Sequence, residues 1–205
     1  MDIVTGNLGW IEVICGPMFS GKSEELMRRL RRSMIARKRV QVFKPSIDTR
    51  YSADDIVSHG QVRMKSEPLN SAADIMSKLD ARTQVIGIDE SNFFGPELVP
   101  VVNHLADTGR QVVIAGLDTD YNGHPFPPMP ELLAYAESIT KMLAICIQCG
   151  NPAKQSQRLS TSEDLIVVGA AGTYEARCRR CFEPGVPRQT SLVFPPERPA
   201  GLQEI

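Results

Sequence analysis

The sequence predicts an α/β fold: a largely parallel sheet with helices on both faces, followed by a small cysteine-bearing module. Three observations predict it. Apolar runs of strand length alternate with segments of helical periodicity through most of the chain. A glycine-rich turn, "GPMFSGKS", stands between the first such run and the first helix. Two C-x-x-C pairs occur, both in the last third. The 205 residues suffice for one α/β domain with a proper core and a satellite. The expected boundaries are 1–140 for the core domain, 141–190 for the module and 191–205 for a proline-rich tail without fixed order.

The elements follow in order. Leu8 to Cys15, "LGWIEVIC", is a short apolar run ended by Gly-Pro and reads as a buried strand. From Ser23, "SEELMRRLRRSMIARK" sets Leu26, Met27, Leu30, Met34 and Ile35 at helical spacing. Its glutamates come first and its arginines last, as the helix dipole favours. "RVQVFKP" is a second strand, stopped by Pro45; residues 45–70, with Asp, Ser, Gly and Pro, read as a long mobile segment, a kind that is usually functional or disordered. "SAADIMSKL" reads as a short helix with Ser71 as N-cap, and "TQVIGIDE" as an apolar strand ending in two carboxylates. "GPELVPVVNHLADTG" is a helix closed by Gly109, "RQVVIAGLD" a strand, "PELLAYAES" a short helix and "ITKMLAIC" a last strand.

Composition narrows the function classes. Hydrophobic residues make up 42% and charged residues 23%, an ordinary globular balance. The net charge of -1 speaks against a globally basic surface for nucleic acid or anionic membrane, and the cluster "RRLRRSMIARKR" reads as a solvated helix face. No stretch approaches the roughly 20 apolar residues of a membrane span. "MDIVTGNLGW" lacks a charged start followed by an apolar run. A cytoplasmic protein is expected, in which cysteines are thiols or metal ligands rather than disulfides.

Gly16, Pro17, Met18, Phe19, Ser20, Gly21, Lys22 and Ser23 form G-x-x-x-x-G-K-S between a strand and a helix. The glycines let backbone N–H groups turn toward phosphate oxygens, and the helix beginning near Lys22 adds its positive end. Lys22 supplies a cation for the β/γ-phosphates of ATP, and the Ser23 hydroxyl can ligand Mg²⁺. The motif names the phosphate donor and leaves the acceptor open: water, or a bound substrate. In "VIGIDE", Asp89 would orient Mg²⁺ through water and Glu90 would accept the proton of the attacking nucleophile, whether water or a substrate hydroxyl.

Cys146-x-x-Cys149 and Cys178-x-x-Cys181 make two knuckles, which together close a structural Zn²⁺ site with no open position. Redox pairs or buried thiols are the other readings of such cysteines. The separation of the knuckles exceeds the commonest ribbon spacing, so something is inserted between them. Cys15, ahead of the glycine turn, reads as a core thiol, and His59, His104 and His124 as surface residues.

Taken together, "GPMFSGKS", "FKPSIDTRYS" with "SHG", "IGIDESNFF", "AGLDTDY" with "PF", and "VGAAGTYEARCRRC" resemble the thymidine kinases of the cellular, zinc-containing type (type II). The resemblance runs from about Gly9 to Cys181. It implies a P-loop (RecA-like) sheet and transfer of the γ-phosphate of ATP to the 5′-hydroxyl of thymidine, a step that supplies DNA synthesis. It implies Glu90 as the base, and Arg50, near Asp48, as a residue reaching toward the phosphates. Met18, Phe93, Leu117, Tyr121 and Phe126 match the wall of the nucleoside pocket, as does Ser156. The segment around Val167, Gly169 and Tyr174 matches a substrate-binding lasso whose main chain reads the thymine edge, anchored by the zinc. The family is commonly tetrameric, so a homo-oligomer is expected, with no nucleic-acid or membrane partner. The chain departs from the family pattern at Glu24, usually threonine, Asn92, usually glutamine, and Asn122, usually basic. Two rival readings stand beside it: a P-loop ATPase with a nucleic-acid-binding ribbon, and a kinase for another deoxynucleoside.

Overall fold

The computed structural model describes residues 8–47, 55–57, 63–160 and 172–185. In chain order the core runs β1 (Trp10–Cys15), α1 (Lys22–Ile35), β2 (Val40–Pro45), β3 (Asp55–Val57), β4 (Arg63–Lys65), β5 (Glu67–Leu69) and α2 (Asp74–Lys78). It continues with β6 (Val85–Ile88), a 3-10 turn (Ser91–Phe93), α3 (Leu98–Asp107), β7 (Gln111–Gly116), α4 (Met129–Tyr135) and β8 (Ser138–Lys141). Six strands form one sheet in the order β5-β2-β6-β7-β1-β8, every neighbour parallel. The glycine loop after β1 and the carboxylates after β6 therefore emerge at the same, carboxyl end of the sheet, with β7 between them.

Alternation along the strands decides how the sheet is covered. Ile11 and Val13 of β1, Ile86 and Ile88 of β6 and Val112 and Ile114 of β7 face one core, closed by Ile75 of α2, Leu98, Val102 and Leu105 of α3, and Met129 and Leu132 of α4. The intervening residues Ile14, Val85, Val113 and Ala115 face the other core, closed by Leu26, Met27 and Leu30 of α1. Helices thus lie on both faces, as the sequence predicts. Cys15 is a buried core thiol in the first cluster, and burial raises its pKa.

Both long helices end in the same way. In α3, Gly109 takes φ 86, its N–H donates to the Ala106 carbonyl at 2.9 Å, and the Arg110 N–H donates to the Leu105 carbonyl at 3.2 Å. In α1 the left-handed position falls to Arg37 (φ 61), with Arg37 N–H to Met34 O at 2.9 Å and Lys38 N–H to Ser33 O at 3.0 Å. The expected stop at Gly109 is where α3 ends. At the other end of α1, Glu25 binds Arg28 at 2.6 Å and Arg29 at 2.8 Å, and the Arg28 guanidinium is the main cause holding its carboxyl down to about 2.

A depressed carboxylate stabilises the fold above its unfolded value of 4.5 and loses that contribution as pH falls toward about 2. Glu25→Gln is accordingly expected to lower the urea midpoint at pH 7, with the gap to the parent narrowing by about pH 3. A gap that stays constant or widens on acidification contradicts the assignment.

Three local expectations need correction. Residues 45–70 include strands: β3 pairs with β4, and β5 joins the main sheet as an edge strand beside β2. Three-residue strands carry too little periodicity to be read. Ser71 does not cap α2; it lies in a turn, and its N–H donates to the Asp74 carboxylate at 3.1 Å. "ITKMLAIC" is not one strand. β8 stops at Lys141 because its partner β1 gives way to the Gly16 turn, and the chain leaves the sheet.

Beyond it lie β9 (Ala144–Ile145), β10 (Pro152–Ala153), β11 (Gln155–Arg158) and β12 (Tyr174–Arg177). They make two antiparallel pairs, β9 with β10 and β11 with β12. Ala144, Cys146, Ala153, Ala176 and Cys178 form a small core of their own. Among the described residues no helix is long and apolar enough to cross a membrane.

Candidate active site

The glycine loop is held by its own backbone. Gly16 takes φ 147, and a Cβ there would lie 2.3 Å from the Met142 carbonyl oxygen, so no larger residue fits. The Pro17 carbonyl accepts the Ser20 hydroxyl at 2.8 Å and the Lys22 ammonium at 2.7 Å, both within the buried turn. Gly21 (φ 83) is the left-handed N-cap of α1. The positive end of a 14-residue helix and the Lys22 cation therefore meet at one turn, an arrangement that can hold a polyphosphate.

Across the sheet edge, Asp89 is 5% exposed and takes hydrogen bonds from the Ser23 hydroxyl and, at 3.0 Å, from the Glu90 N–H. Burial first, and then the Glu90 charge, push its pKa up to about 7; the Ser23 hydroxyl, the Glu90 N–H and Lys22 pull the other way. Two acids beside a phosphate loop make a place for a cation. Glu90 itself stands at φ 49, ψ 39, a left-handed conformation that costs a non-glycine residue about 1–3 kcal/mol and clusters at functional sites. The turn carries Glu90 out of the strand, so that it is half-buried where Asp89 is covered.

Six of the residues assigned to the nucleoside wall come together in pairs, and Leu117 is tied to Asn92. Phe93 meets Phe126 edge to face, with centroids 6.0 Å apart. The Leu117 N–H donates to Asn92 Oδ1 at 3.0 Å, so the 3-10 turn after Glu90 holds the end of β7. The Met18 N–H, inside the phosphate loop, donates to Ser156 Oγ at 2.9 Å. Tyr121 and Tyr174 share one partner, the Arg158 guanidinium, 3.6 Å and 5.4 Å from their ring centroids. Arg50, Val167 and Gly169 lie outside the described residues, as does the tail 191–205.

Sequence reasoning missed β11. Gln155, Ser156, Gln157 and Arg158 are all buried. Gln155 accepts the Thr119 hydroxyl at 3.3 Å, and Gln157 exchanges two hydrogen bonds with the Glu183 backbone at 2.8 Å each. "QSQR" has no apolar alternation, and apart from Ser156, which the family resemblance places in the pocket wall, nothing in it marks a buried strand. Phe19 was assigned only to the phosphate cradle. It holds a left-handed φ of 65 and packs on the ribbon core formed by Ala144, Cys146, Ala153, Ala176 and Cys178.

The four cysteine sulfurs of the two knuckles lie within 4.8 Å of one another, with Cys149 and Cys178 Sγ 3.6 Å apart. Zinc–sulfur bonds of about 2.3 Å in a tetrahedron place sulfurs about 3.8 Å apart, so the cluster fits that ion and could bind it. The backbone N–H and then the side-chain amide of Asn151 draw Cys149 down to about 6, whereas the adjoining Cys149 and Cys178 thiols push Cys181 up to about 12. Held as four thiolates this close together, the sulfurs would need a cation among them.

A family model described as thymidine kinase matches residues 9–182. A curated relative, the thymidine kinase of Rhodothermus sp. (strain ITI 518), is 54% identical over 191 residues, covering 93% of this chain and 89% of that protein. Among solved structures, domain III of the Thermotoga maritima replication initiation protein DnaA covers 64% of this chain and 54% of that one, with a TM-score of 0.41 and 19% identity, a likeness too slight to carry an argument. The family match takes in the phosphate loop, the acid pair, the paired wall residues and both cysteine knuckles, and the chain belongs to the thymidine kinase family.

Proposed function

We propose that the chain transfers the γ-phosphate of ATP to the 5′-hydroxyl of thymidine, giving ADP and thymidine monophosphate, with Glu90 as general base. The observation that carries the assignment of roles is the left-handed turn at Glu90, directly after a buried Asp89 bonded to Ser23 of the phosphate loop. Glu90 takes the hydroxyl proton as the 5′-oxygen bonds the γ-phosphorus, and the bond from that phosphorus to the bridging oxygen of ADP breaks. Lys22 and the N-terminal turn of α1 hold the negative charge that passes to ADP. Ser23 and Asp89 are the residues that would hold Mg²⁺, which neutralises phosphate charge when bound.

Met18, Phe93, Leu117, Tyr121, Phe126, Ser156 and Tyr174 wall the nucleoside, and Val167 and Gly169 read the thymine edge through main-chain groups. Arg50 reaches toward the phosphates. Residues 1–140 act as the kinase domain and 141–190 as a zinc ribbon that anchors the substrate-binding segment. The protein works in the cytoplasm as a homo-oligomer, a tetramer by family resemblance.

The test is ADP release measured with and without each of a panel of nucleosides. Release that depends on thymidine is expected. Preference for another deoxynucleoside overturns the substrate, and release indifferent to nucleosides but stimulated by DNA or RNA overturns the reaction.

A further inference from the structure

We infer that Arg158 is a positioning residue for the nucleoside pocket: it fixes the spacing of Tyr121 and Tyr174, and with it the width of the slot that receives the base. The inference rests on the reading of those two tyrosines as pocket wall. Arg158 is the largest fully buried side chain among the described residues, 0% exposed. A guanidinium is taken out of water only where partners hold it. Here Nη2 and Nε donate to the Tyr174 hydroxyl at 2.7 Å and 3.2 Å, while the guanidinium carbon lies 3.6 Å from the centroid of the Tyr121 ring.

The three residues come from separate parts of the chain. Tyr121 stands in the loop after β7, Arg158 closes β11 and Tyr174 opens β12 directly opposite it. One planar cation therefore joins a loop of the sheet domain to a hairpin of the ribbon. Planarity is what the position demands: the face stacks on one ring while the edge directs two N–H groups to the other's hydroxyl. A lysine ammonium, compact and without a face, cannot do both.

The neighbouring side chains of β11 hold other elements. Gln155 receives the Thr119 hydroxyl and Ser156 receives the Met18 N–H, so the strand has its own bond to the phosphate loop beside Arg158. Loss of Arg158 should then loosen the nucleoside side and leave the ATP side in place.

Arg158→Lys keeps the charge and most of the stem; Tyr174→Phe removes only the hydroxyl that Arg158 binds. The KM for thymidine is expected to rise about tenfold in Arg158→Lys and roughly threefold in Tyr174→Phe, with the KM for ATP within about twofold in both. Because Arg158 and the Tyr174 hydroxyl act through one shared contact, the double variant Arg158→Lys/Tyr174→Phe should be no worse for thymidine than the worse single variant. Multiplying effects, or equal rises in both KM values, overturn the inference. If Arg158→Lys does not fold, Tyr174→Phe decides alone, and an unchanged thymidine KM overturns it. A parent enzyme whose ADP release ignores thymidine sinks the pocket reading itself, a separate outcome visible before any variant is made.

Discussion

Glu90→Gln is expected to bind both substrates and to lose about 10²–10⁴-fold in kcat, the usual worth of a positioned general base. The substitution is nearly isosteric and leaves the backbone alone, so the bond from the Phe93 N–H to the Glu90 carbonyl at 3.0 Å is retained. The amide can still accept a hydrogen bond from the 5′-hydroxyl but cannot take its proton at neutral pH. The backbone supports this division of labour. Asp89 continues the line of β6 and is covered, whereas the left-handed turn at Glu90 sets the next carboxyl off on another course. Asp89→Asn should therefore fail differently, by raising the Mg²⁺ concentration needed for activity rather than by removing a proton acceptor. The measurement is kcat and both KM values for Glu90→Gln, with nucleotide binding by calorimetry as a control. Turnover within about tenfold of the parent would remove Glu90 from the base role.

What the sequence made legible follows from how local each signal is. The central strands β1, β6 and β7 were readable because each is a largely apolar run of four to six residues, mostly buried on both faces. The phosphate loop, the acid pair and the cysteine knuckles were readable because their chemistry is set by spacing within a few residues. β5 was missed because three residues with a proline in the middle show no period, and Ser71 was misread because the cap signal depends on a helix start that shifted to Asp74. Arg158 was out of reach for a different reason. A charged residue in a polar tetrapeptide is exposed by every compositional rule, and only the arrival of Tyr121 and Tyr174 from distant segments buries it. The link between Phe19 and the ribbon is likewise tertiary: 127 positions separate it from Cys146, so no window of sequence contains both.

That link gives the second large effect its shape. Cys178→Ser is expected to reduce zinc from about one per chain to a small fraction of that, and to disable the enzyme at both substrate sites. The ribbon core is too small to stand by itself: its buried members are three alanines and two cysteines, and the cysteines are half of the four-cysteine cluster. Without the ion, the two hairpins have little apolar surface to hold them together. The sheet domain keeps two cores that do not include these residues, so far-UV circular dichroism should change little. Loss of the ribbon releases Phe19 from the surface that balances its left-handed backbone, and removes the Ser156 oxygen from the Met18 N–H. Both residues lie in the glycine loop proposed to hold the phosphates, where misplacement by about 1 Å can cost on the order of 10²-fold in rate. The variant should thus show a fall in activity of about that size or more, with weaker ATP binding as well as weaker thymidine binding. Calorimetric titration of each substrate, alongside elemental analysis, separates the outcomes. ATP affinity that survives zinc loss would confine the ribbon to the nucleoside side, and a fully active protein without zinc would end the structural role of the cluster.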